Sequence, residues 1–152
     1  MSEKLIKIEI PCDEGGYCLL QCPKCGDYFK LKPAEFQDEA VLEIWCPCCG
    51  LVSDSYLTQE VIEVVRAKAM NYCLDELHST FKDLERTSKG EAVSFKAGKV
   101  SKHEPENRIL NKVDSMVTVH FACCKKSAKV SPCAAMSVRY CSFCGVISFE
   151  SK

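Results

Sequence analysis

Two short runs, Cys22-Pro23-Lys24-Cys25-Gly26 and Cys46-Pro47-Cys48-Cys49-Gly50, decide how this chain is read. Each holds a Cys-x-x-Cys pair followed by glycine, and twenty residues separate Cys25 from Cys46. Two thiolates three positions apart on a tight turn can face one ion. The turn asks for a residue that tolerates positive φ directly after the second thiolate, and Gly26 and Gly50 meet that need. Two such turns supply four sulfurs in a tetrahedron, which suits zinc and closes its coordination shell. The spacing therefore points to Cys22, Cys25, Cys46 and Cys49 as one structural zinc site. The alternatives are a redox dithiol, a chance clustering of cysteines, or an iron–sulfur cluster on the same thiols.

The flanks fit a hairpin order. Residues 17–20 lead into the first pair, 28–31 lead away, 41–45 run into the second pair and 51–52 leave it. With strand, knuckle, strand, loop, strand and knuckle in this order, the chain resembles the zinc-ribbon (rubredoxin-knuckle) superfamily. The resemblance implies that both knuckles sit at hairpin tips and clasp one zinc. Residues 5–10 (LIKIEI) alternate apolar and charged side chains and predict a further, half-buried strand. Cys12, Cys18 and Cys48 are surplus to the site and read as packing residues or free thiols. Trp45 reads as a cover for the small core, with a partner-facing aromatic as the alternative.

A second, altered copy lies near the other end. Cys141-Ser142-Phe143-Cys144-Gly145 is a knuckle of the same type, preceded by a strand-like run at 138–140. Its mate, His120-Phe121-Ala122-Cys123-Cys124-Lys125, follows a strand predicted over 115–119 and can be read in two registers. His120 with Cys123 keeps the two-residue gap. Cys124 followed by Lys125 matches Cys49-Gly50 better, with His120 then reaching the ion across a longer gap. The expected second set is His120, Cys124, Cys141 and Cys144, with Cys123 and Cys133 as the other candidates for the fourth ligand. Two zinc ions per chain follow. The resemblance covers about half the chain, near 17–56 and 115–150, and zinc ribbons serve many activities, so it does not fix one.

Between the two copies, residues 57–87 read as one long helix with Thr58 as N-cap. Leu57, Val61, Val65, Ala69, Cys73, Leu77, Phe81 and Leu84 form a stripe. The run would span about 45 Å at 1.5 Å per residue. Such a stripe predicts a spine for both ribbons, or a homodimer through the central helix. Residues 86–112 hold seven Lys/Arg against three Glu, with Phe95 among the lysines. Lys96, Lys99 and Lys102 with Phe95 are a candidate nucleic-acid surface; a solvated linker is the alternative. The predicted fold is small α+β, with two zinc-ribbon β-hairpin modules flanking a long central α-helix. The domain bounds are 1–56, 57–88, 89–114 and 115–152.

Composition narrows the function. The chain has 152 residues and thirteen cysteines, an odd number arranged as spaced pairs. That pattern favours metal in a reducing compartment over disulfides. The first sixteen residues lack the apolar core of a signal peptide, so a soluble, cytoplasmic protein without membrane contact is expected. The net charge of −1 hides an asymmetry: residues 1–76 carry seven Lys/Arg against fourteen Asp/Glu, −7, and residues 77–152 thirteen against seven, +6. An acidic face and a basic face for different partners is one consequence, pairing of the halves the other. Four thiolates leave zinc no open position for water, and only three histidines exist, none in an H-E-x-x-H context. The expectation is a non-enzymatic zinc-binding adaptor or accessory subunit with a protein partner, and nucleic-acid binding is the alternative. The isoelectric point of about 6.3 lies well below the ~9 of dedicated nucleic-acid domains.

Overall fold

The computed structural model describes residues 5–90, 95–99, 102–110 and 115–148. The chain divides into two compact units: Ile10–Gln59 with Ile109–Lys152, and Met1–Glu9 with Glu60–Arg108. The first unit is built on a four-stranded antiparallel sheet. Strands β1 (Cys18–Gln21) and β2 (Tyr28–Leu31) form one hairpin, and β3 (Val117–Phe121) and β4 (Lys126–Val130) the other. The hairpins join through β2 and β4, giving the order β1-β2-β4-β3.

The two hairpins, expected as separate modules flanking the helix, share one sheet. A lone two-stranded hairpin is marginal in water, and each hairpin here leaves an edge and an apolar face to cover. Pairing Phe29 with Val130 and Leu31 with Ala128 covers both at once. Phe29, Leu31, Val119, Phe121, Ala128 and Val130 are all buried in one cluster with Cys22, Cys46 and Cys141.

Each hairpin is followed by a short helix begun by proline, α1 (Pro33–Phe36) after β2 and α3 (Pro132–Met136) after β4. Proline suits the first helical turn because the N–H it lacks would be unpaired there. A second knuckle then follows in each half, bounded by the isolated bridge Trp45↔Val52 in one and by β5 (Arg139–Tyr140) with β6 (Ile147–Ser148) in the other. The internal duplication is therefore structural: hairpin, short helix, knuckle, twice.

The other face of the sheet carries Lys30 and Lys129, which are directly paired. The 12–17 loop serves this face. The Asp13 carboxylate accepts from Lys129, lies 3.7 Å from the Lys30 ammonium and accepts from the Gly15 and Tyr17 amides. Lys30 is 2% exposed, so it needs that counter-charge. Burial raises the Asp13 pKa, but the hydrogen bonds and the two lysines outweigh it and hold the carboxyl below its usual value. A depressed carboxylate stabilises the fold above its unfolded pKa of ~3.9, and that contribution fades as pH falls through the folded value. Cys12 and Cys18 are disulfide-bonded and close this loop, a correction to their reading as free or packing thiols. They face each other across an antiparallel bridge, a pairing that a six-residue separation without a Cys-x-x-Cys motif does not announce. The strand expected at 5–10 is absent: these residues have no regular structure, and Leu5 is 85% exposed.

Tyr56 anchors the first knuckle. Its ring stands edge-on to Phe29 at 5.5 Å. Its hydroxyl donates to the Ile44 carbonyl at 2.7 Å, lies 3.1 Å from that of Leu51 and accepts from the Ser53 amide. Tyr56→Phe removes the hydroxyl partner of the Ile44 carbonyl and the Ser53 amide, while the Leu51 carbonyl keeps the Cys46 amide, and is expected to cost about 1–3 kcal/mol in urea unfolding.

The second unit contains α2 (Gln59–Thr87), which starts directly after Thr58. Its buried residues are Val61, Val64, Ala67 and Asn71, so the stripe expected through Val65, Ala69 and Cys73 is rotated about the helix axis and stops at Asn71. The Asn71 amide bonds the backbone of Glu104 in both directions, and His103 lies 2.9 Å from Asp75. A polar residue therefore pins a returning segment where the stripe predicted apolar contact. Beyond it, Leu77, Phe81 and Leu84 are exposed. Phe95 packs against Phe81, the ring centres 5.8 Å apart and the rings tilted. The run 92–96 has the apolar alternation of a strand in the sequence, and most of it lies outside the described residues. Among the described residues, no helix is long and apolar enough to cross a membrane.

Candidate metal centres

The first centre sits where the β1–β2 turn meets the Trp45–Val52 turn. Cys22 and Cys46 are fully buried, while Cys25 and Cys49 lie nearer solvent. All four sulfurs fall within 4.8 Å of one another. The Cys22–Cys49 and Cys25–Cys46 separations are 3.8 and 3.6 Å. A tetrahedron with Zn–S bonds of about 2.3 Å has edges of about 3.8 Å. The four thiols expected at this site are thus brought together at a spacing that fits zinc.

The knuckles are alike in their backbone. Gly26 and Gly50 donate to the carbonyls of Cys22 and Cys46, and Gly145 to that of Cys141, each at 2.9 Å. All three glycines have positive φ, near 70–80°. The fourth knuckle uses Lys125 at φ 54°, the one non-glycine residue with positive φ among those described. Its placement fixes the register of the altered half-site: Cys124 occupies the position of Cys25, and Phe121 that of Cys22.

The second centre gathers Cys123, Cys124, Cys141 and Cys144 within 4.8 Å, with Cys123 and Cys144 3.5 Å apart. Cys124, Cys141 and Cys144 were expected here. His120 is not in the group. It lies on β3 opposite Ser127, exposed, between the buried Val119 and Phe121. Strand alternation turns its ring to the opposite face from its neighbours. That same alternation was the available signal against His120. Cys123 takes its place because the 122–125 turn is not a strand, so consecutive thiols need not point apart. Cys133 lies on α3, exposed and outside both groups.

The thiols respond to burial and to the turn amides. Burial pushes Cys46 and Cys141 upward, and Cys124 up to about 11. At Cys22 burial acts upward too, but the amides of Cys25 and Lys24 outweigh it and lower the thiol. Cys144 is lowered against burial, chiefly by the amide of Val146. Amide donors turned on sulfur are what a buried thiolate needs once a cation holds it.

The two centres interlock. The Trp45 amide donates to the Ser142 carbonyl, and the Tyr140 amide donates to the Pro47 carbonyl, both at 2.9 Å. Ser142 and Pro47 hold equivalent places in their knuckles, directly after the first cysteine. A Cβ on Gly145 would lie 2.6 Å from the Trp45 ring, and one on Gly50 2.8 Å from the Tyr140 ring. Each copy thus lays its aromatic on the glycine of the other. No family model, curated protein or solved structure matches the chain. Each thiol group can hold a metal ion, and both are compatible with zinc.

Proposed function

We propose that the chain is a non-catalytic, zinc-stabilised binding module that holds two zinc ions and engages a protein partner. The observation that carries the zinc is the pair of four-sulfur groups at the edge length of a tetrahedral Zn–S site. Cys22, Cys25, Cys46 and Cys49 hold one ion, and Cys123, Cys124, Cys141 and Cys144 the other. With four thiolates on each ion, no position remains for an activated water, which is why the zinc is assigned a structural role. The partner surface is the C-terminal half of α2, where Leu77, Phe81 and Leu84 stand exposed at steps of four and three. A second copy of the chain on that stripe is one form of this reading.

A second reading has a specific observation behind it. Lys96, Lys99 and Lys102 are all exposed and follow the half-exposed Phe95. This arrangement offers charge for a phosphate backbone beside an aromatic face. Phe95 is engaged with Phe81, however, so its ring is not free to stack on a base.

The two readings separate in one set of variants. Leu77→Asp with Phe81→Asp is expected to abolish self-association in sedimentation, or the capture of a co-expressed partner. Neutralising Lys96, Lys99 and Lys102 is expected to leave both unchanged. If the lysines carry the function, their removal weakens single-stranded nucleic acid binding on every sequence alike. It also flattens the salt slope by roughly 0.7 per lost phosphate contact. A sub-micromolar, sequence-selective complex with DNA or RNA at physiological salt would reverse the ranking.

A further inference from the structure

We propose that the first centre carries an additional, solvent-facing site for a soft divalent cation such as Zn²⁺ or Cd²⁺, formed by Cys48, Asp27 and the Cys25 sulfur. The thiol of Cys48 lies 2.7 Å from the Asp27 carboxylate, and these two groups with Cys25 fall within 4.8 Å of one another. Cys25 and Asp27 are exposed and Cys48 is partly so. The site therefore opens to solvent on the outer side of the four-thiol group. Cys25 would be shared, its thiolate bridging the inner ion and the outer one. Sulfur donors with one carboxylate select a thiophilic cation over magnesium or calcium. The fourth position is left for water, so the outer ion is exchangeable where the inner one is closed in.

The internal duplication supplies the comparison. Asp27 stands two residues after Cys25, and Lys126 stands two after Cys124. Cys48 directly precedes Cys49, and Phe143 directly precedes Cys144. In the second copy these positions form a cation–π contact, with the Lys126 ammonium 5.2 Å from the Phe143 ring centre. The same pair of places thus holds an ammonium on an aromatic in one copy and a thiol on a carboxylate in the other. A lysine there repels a metal ion, whereas Asp27 and Cys48 attract one. Knuckle geometry is met without either pair, so knuckle closure does not require Cys48. On binding, the Cys48 S–H bond breaks, its proton passes to solvent, and a metal–sulfur bond forms. No oxidant is involved.

The inference rests on the inner zinc reading, because Cys25 must be held as a thiolate. It is tested on the full chain by titrating zinc against a colorimetric chelator of moderate affinity. The expected result is two tightly held equivalents and a third, weaker one. Cys48→Ser and Asp27→Asn should each remove the third and keep the first two. Cys73→Ser, at an exposed free thiol on α2, should keep all three. Retention of two tight ions also shows that the variants fold. Saturation of the natural sequence at two equivalents overturns this inference alone, as does a third that survives both substitutions. If Cys48→Ser instead removes a tight ion, Cys48 belongs to the inner set and the outer site is again overturned. Fewer than two tight ions in the natural sequence overturns the zinc reading and this inference with it.

Discussion

Cys46→Ala is expected to cost both zinc ions, not one, and to unfold the sheet that carries both centres. In two independent ribbons, losing one buried ligand would empty one site and spare the other. Here the halves share a sheet through β2 and β4, and the cluster around Phe29 and Phe121 includes Cys22, Cys46 and Cys141. The reciprocal bonds from Trp45 to Ser142 and from Tyr140 to Pro47 make each knuckle part of the other's support. A structural zinc site contributes about 10–16 kcal/mol near neutral pH. A domain of this size is stable by about 5–15 kcal/mol in total. Losing either ion therefore exceeds what the rest of the unit can supply. Elemental analysis of Cys46→Ala should approach zero zinc per chain, and Trp45 emission should move to that of a solvated indole. A folded variant that keeps one ion would show that the two halves are independent. Acid should have the same end point as the substitution. Zinc needs thiolates, and burial raises Cys46 and Cys141. Protons thus compete for sulfur as pH falls, and release of both ions in a single transition is expected.

The first centre was legible because its chemistry is local. Four thiols at two fixed gaps, each pair closed by a glycine, specify the knuckles whatever surrounds them. The second was legible in its Cys141 to Gly145 half for the same reason. Its other half misled because an imidazole looks long enough to bridge the wider gap from His120 to Cys124, while the choice between His120 and Cys123 depends on strand direction. Alternation of Val119, His120 and Phe121 contained that answer. Sharing of one sheet was not legible. It depends on which edges meet, and β2 and β4 are separated by the whole of α2. The disulfide between Cys12 and Cys18 also depends on a fold-back that six residues of sequence do not specify. On the helix, periodicity identified the element but not its buried face, because Asn71 anchors a segment more than thirty residues away.

Gly145→Ala is expected to be among the most damaging single substitutions outside the ligands, and Gly26→Ala a mild one. The contrast isolates two effects that glycine usually mixes. Both residues have positive φ, 72° at Gly145 and 80° at Gly26, so alanine meets similar backbone strain at each. That strain costs about 1–2 kcal/mol. Space differs completely. A Cβ at Gly26 has nothing within 4 Å, while one at Gly145 would lie 2.6 and 2.8 Å from two atoms of the Trp45 ring. Trp45 cannot simply step aside, since its own amide is bonded to Ser142 and it borders Cys46. Overpacking of this kind adds about 1–3 kcal/mol. Urea unfolding of the zinc-loaded chain should thus show Gly26→Ala lower by about 1–2 kcal/mol and Gly145→Ala by about 2–5 kcal/mol. Gly50→Ala should fall with Gly145→Ala, because its Cβ meets the Tyr140 ring at 2.8 Å. Trp45→Ala combined with Gly145→Ala separates the terms further: removing the ring should leave Gly145→Ala costing no more than Gly26→Ala does. Equal losses at Gly26 and Gly145 in the natural background would mean that the aromatic of one copy does not rest on the glycine of the other. The interlock of the two centres would then fail with it.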